Sequence, residues 1–101
     1  MEIYMSFLES YKRLDNLCKD VFRSEKGVTT YIENMENTNY SFRPASFDSD
    51  YKNLKRYRYI RNQIVHDNYA NESNMCDEND TLWIEQFYGR MLNQTDPFSL
   101  Q

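Results

Sequence analysis

The chain has 101 residues, with 12 basic against 16 acidic and a net charge of −4. That length sizes it as one domain over 1–101 with a modest core, and the charge argues against a general electrostatic attraction to nucleic acid. No apolar run is long enough to cross a bilayer, and the opening MEIYMSFLES lacks the basic and apolar regions of a secretory signal. The expectation is therefore a cytoplasmic protein with no membrane partner. Its two cysteines, Cys18 and Cys76, lack CxxC spacing, as in ordinary reduced thiols.

With only two glycines and two prolines, the chain is free to form long helices, and its apolar residues recur with a helical period. Over residues ~2–23, Ile3, Tyr4, Phe7, Leu8, Tyr11, Leu14, Cys18, Val21 and Phe22 share one side of a wheel, and Glu9, Lys12, Arg13, Asn16, Lys19 and Asp20 take the other. This predicts a first amphipathic helix suited to a bundle. After Gly27, Val28, Tyr31, Ile32 and Met35 predict a shorter helix ending near Asn37. The stretch NTNYSFRPASFDSD reads as a loop around Pro44, with Asp48 or Ser49 placed to cap a third helix over ~49–66. A second polar loop follows. Its acidic residues Asp77, Glu78 and Asp80 suit a helix N-terminus better than a calcium loop. A fourth helix over ~80–94 carries Trp83, Ile84, Phe87, Tyr88, Met91 and Leu92 on one face, and Asp96-Pro97 closes it. Four helices with short or medium loops predict a small all-α four-helix bundle.

The third helix holds an anomaly. Tyr51, Leu54, Tyr57, Ile60, Ile64 and Val65 define an apolar half, and Arg61 falls inside it. A guanidinium stays charged, and burying it unpaired costs several kcal/mol. Arg61 must therefore meet a carboxylate, reach water at a crevice, or face a partner subunit. The only histidine, His66, ends the same segment, with Asn62 four residues before it and so on its ridge. Arg61 and His66 diverge by roughly 140° about the axis, so one subunit does not readily aim both at one small target. Two copies meeting about a two-fold axis can, which predicts a homodimer with a shared cleft. Lys52, Lys55, Arg56, Arg58 and Arg61 also place five of the 12 basic residues within ten positions. Such a run is either a solvated face or a local phosphate-binding band.

The segment YIRNQIVHD, and RNQIVH within it, resembles the motif helix of the HEPN superfamily, in which an arginine and a following polar residue precede a histidine by a short span. The match covers about ten residues, late in the third of four helices. The resemblance implies a HEPN-like bundle that dimerises through this helix. It also implies a metal-independent endoribonuclease of a toxin or defence system, acting on RNA and held in check by a cognate antitoxin such as a minimal nucleotidyltransferase. It assigns Arg61 and His66 as the catalytic pair and Asn62 as a supporting residue. Some members carry a tyrosine two places after the histidine; here Asn68 stands there and Tyr69 follows.

These side chains suit cleavage by a ribose 2′-OH. A histidine can donate or accept a proton near neutrality, and an arginine offers a planar fork to phosphate oxygens. Lys55 and Arg58 are candidates to hold flanking phosphates, and Tyr57 and Tyr59 to stack on unpaired bases. One histidine and no clustered cysteines leave no metal site to expect, and no glycine-rich phosphate loop points to a cofactor. The alternative is a non-catalytic helical dimerisation or binding module that keeps the motif. In that reading Arg61 and His66 belong to a polar network pinning the third helix.

Overall fold

An apolar stripe at every third or fourth residue draws the first helix into the centre of the molecule. The computed structural model describes residues 2–38, 44–66 and 76–99. It forms α1 (Glu2–Phe22), α2 (Val28–Glu36), α3 (Phe47–His66) and α4 (Glu78–Leu92). Among the described residues there is no strand, and the chain is a small all-α four-helix bundle in which α1 packs against the other three helices. Tyr4, Phe7, Tyr11, Leu14 and Cys18 line the buried stripe of α1, spaced to fall on one face of a 3.6-residue helix. The side chain of Ile3, expected on that stripe, lies outside the described residues.

The core is aromatic. Trp83 stacks on Phe87 at 5.1 Å between ring centroids and tilts against Tyr57 at 5.4 Å, while Phe87 meets the edge of Tyr31 at 5.4 Å. Such pairs add about 0.5–1.5 kcal/mol each beyond the area they bury. Four polar side chains are buried among them, Ser10, Asp50, Asp80 and Asp96, and each ties one element to another. Ser10 donates to Glu85 Oε2 at 3.0 Å, joining α1 to α4. Asp96 accepts from the Tyr31 hydroxyl at 2.5 Å and from Ser99 at 2.6 Å, holding the turn after α4 against α2.

Helix ends follow local chemistry. α4 begins with a reciprocal capping box: Asp77 Oδ1 accepts from the Asp80 N–H, and Asp80 Oδ2 accepts from the Asp77 N–H at 2.9 Å. The acidic cluster thus caps, as its sequence suggests. α1 and α4 both stop on a left-handed non-glycine residue, Arg23 (φ 52) and Gln94 (φ 60). Each is followed by an N–H that reaches back five residues, Ser24 to Lys19 O at 3.1 Å and Thr95 to Arg90 O at 2.8 Å, closing the last turn in Schellman fashion. α4 therefore ends on its own backbone geometry, ahead of Asp96-Pro97.

Three expectations are corrected. α3 starts at Phe47, so Asp48 and Ser49 lie inside its first turn and do not cap it. The Phe47 side chain is buried, and its N–H bonds Pro44 O at 3.0 Å, which winds the chain two residues early. Val21 and Leu92, placed on apolar faces by the wheel, are 57% and 58% exposed; each stands at the margin of its helix's buried stripe, while the neighbouring Phe22 and Met91 pack against the core. Val65, near the end of α3, is likewise 47% exposed.

Candidate functional site

Ile60 and Ile64 hold the last turns of α3 in the core, at 5% and 0% exposure. Arg61, one residue on from Ile60, nevertheless ends in solvent. Its guanidinium carbon lies 6.0 Å from the centroid of the Tyr11 ring on α1, and Nη1 donates to Asn62 Oδ1 at 2.9 Å. Among the described residues no carboxylate pairs with it. The anomaly is resolved by the second of its three outcomes: a long stem crosses the edge of the apolar face and delivers the charge to a crevice. The guanidinium keeps its hydration and avoids the cost of burial.

That crevice, between α1 and α3, has a volume of ≈ 380 Å³ and is lined by Leu8, Tyr11, Lys12, Asp15, Asn16, Lys19, Arg61 and Val65.

Its electrostatics are lopsided. Lys12, Lys19 and Arg61 bring three positive charges to the lining, against the single carboxylate of Asp15. Asp15 is already engaged, accepting from the Val28 N–H at 2.8 Å and pairing with Lys19 at 3.6 Å. The Tyr11 hydroxyl reports the same field. Burial, and then Asp15, push its pKa above the usual phenol value, while Arg61 and Arg58 pull it down.

His66 ends α3 and is exposed, with no hydrogen-bond partner among the described residues. A regular helix separates it from Arg61 by about 140° and roughly 7.5 Å along the axis. A single chain therefore does not bring the two side chains to one point. Asn62 stays beside Arg61 as its acceptor. Asn68 and Tyr69 lie outside the described residues.

The other predicted contacts divide. Arg58 is about 60° from Arg61 around α3 and reaches Thr29 Oγ1 at 3.5 Å, on the crevice side. Lys55 and Tyr59 are turned from Arg61 by about 120° and 160°. Lys55 sits over the Tyr51 ring at 4.7 Å, and Tyr59 is 61% exposed. Tyr57 is corrected as a base-stacking candidate: it is 4% exposed and donates to Asp80 Oδ1 at 2.8 Å. Arg56 pairs with the same oxygen at 3.2 Å. The basic run is thus wound around the helix and does not form one band. Sequence reasoning missed Lys12, Asn16 and Lys19, whose i, i+4, i+7 spacing on α1 was the available signal.

A second cavity, ≈ 250 Å³, lies beside Tyr31, Asp96 and Ser99, where the polar groups already satisfy one another. Among the described residues no group of three His, Cys, Asp or Glu side chains is placed to hold a metal, and no helix is long and apolar enough to cross a membrane. Residues 5–101 match the model of a family of unknown function, DUF6548. Neither the curated proteins nor the solved structures give a match.

Proposed function

This chain belongs to DUF6548, a family of unknown function, and from its own residues we propose a metal-independent endoribonuclease with a composite Arg61/His66 site at a homodimer interface. The observation that carries the reading is the state of Arg61: an exposed guanidinium beside a crevice, bonded to the Asn62 side chain and to no carboxylate among the described residues. Its fork is available to phosphate oxygens, where it offsets the charge that builds up as a 2′-OH attacks. His66 serves as the proton acceptor or donor. Because the two diverge on one helix, the partner subunit's copy of α3 completes each site. The resemblance of RNQIVH to the HEPN motif supports the same chemistry, and with it a toxin or defence role and an antitoxin partner.

The test is incubation of the full chain with single-stranded RNA in EDTA. Cleavage leaving 2′,3′-cyclic ends is expected, reduced at least about a hundredfold in Arg61→Ala and in His66→Ala. Mixing the two variants should restore part of the activity, since a mixed dimer keeps one intact pair. Cleavage that survives both substitutions would sink the assignment. Stable dimers that cut no RNA under any condition would instead identify a non-catalytic dimerisation module.

A further inference from the structure

We infer that the α1/α3 crevice is the track along which a single-stranded RNA backbone enters the Arg61 site, with Lys12 and Lys19 contacting phosphates. This rests on the ribonuclease reading and extends it to residues outside α3. Lys12, Lys19 and Arg61 line one crevice, and Asn16 lies between the two lysines on α1. The lysines are seven residues apart, or about 10 Å along the helix, and their flexible stems let them follow successive phosphates of an extended strand.

The charge balance favours a polyanion over a protein helix. Asp15 is the one carboxylate in the lining and is held by Lys19 and the Val28 N–H. Arg58, about 60° from Arg61 around α3, adds a further positive charge that acts on the Tyr11 hydroxyl. Lys55 points elsewhere, so the phosphate footprint around Arg61 is completed from α1 and not from the rest of α3. A chain with net charge −4 can bind RNA this way because phosphate contacts act over short range at physiological salt.

The experiment separates binding from cleavage. A fluorescent 2′-O-methyl oligouridylate, which lacks the attacking hydroxyl, is titrated with the full chain by anisotropy at several salt concentrations. The ordinary RNA is assayed for cleavage in parallel. Lys12→Gln/Lys19→Gln should weaken binding at least about tenfold and lower the slope of log K against log salt by about 1.4, near 0.7 per lost phosphate contact. Lys12→Gln alone, which breaks no ion pair among the described residues, should show about half that slope change, and Lys55→Gln none. Binding by the double variant within twofold of the wild type overturns the track, as does absence of binding by the wild type. If the lysines matter for binding and no preparation cuts RNA, the track stands and the nuclease reading falls. If RNA is cut and the lysines are indifferent, the reverse holds.

Discussion

Arg90 on α4 grips Asp50 on α3 at two points, Nη1 to Oδ1 at 2.9 Å and Nη2 to Oδ2 at 2.8 Å. The hydrogen bond to Asp50 is the main reason the guanidinium pKa is raised further. The two ends of this clasp are unequal, since the Asp50 side chain is 4% exposed and that of Arg90 is 29% exposed. Removing the arginine strands a buried carboxylate, whereas removing the aspartate lets the arginine rehydrate. Arg90→Met should therefore cost about 3 kcal/mol and Asp50→Ala about 1–2 kcal/mol. Urea midpoints of both variants check the order, and equal losses would contradict it.

The two glycines should respond in opposite directions. Gly27 has φ +61, and a Cβ there would collide with Asp15 Oδ1, the group that caps α2 through the Val28 N–H. Gly27→Ala should cost about 2–3 kcal/mol, from backbone strain together with loss of that cap. Gly89 lies within α4, and a Cβ there meets nothing within 4 Å. Gly89→Ala should gain about 0.5–1 kcal/mol. Thermal melts of the two variants, moving apart from the wild type, are the measurement.

Alkali should unfold the protein. Burial pushes the Cys18 thiol from 9.0 up to about 12 and Cys76 to about 11, and it raises Tyr11, Tyr31 and Tyr57 above the usual phenol range. For each of these acids the unfolded chain loses its proton first. The stabilising contribution is complete below the unfolded pKa and is lost as pH climbs toward the folded value. Urea midpoints should hold steady to about pH 9 and then fall, with Cys18 alone accounting for about 1.4 kcal/mol per pH unit until its folded value is reached. Iodoacetamide at pH 8 should leave Cys18 unmodified unless the chain is unfolded.

Helical periodicity carried most of the fold. The stripes Tyr4-Phe7-Tyr11-Leu14-Cys18 and Val28-Tyr31-Ile32-Met35 are buried as their spacing predicts. Periodicity locates the middle of a stripe better than its margins, so it could not tell that Val21 and Leu92, at the edges of their faces, stand exposed. The buried carboxylates Asp50, Asp80 and Asp96 were illegible for a related reason, because each is stabilised by a donor from a distant segment, Arg90, Tyr57 or Tyr31. At the candidate site the wheel flagged Arg61 as unusual and offered a crevice among its outcomes. It could not supply Lys12 and Lys19, which meet Arg61 only once α1 and α3 are packed.

The seam between α3 and α4 also carries its own optical probe. The only tryptophan, Trp83, stacks on Phe87 and leans on Tyr57, so its fluorescence emission should follow the separation of those two helices without any added label.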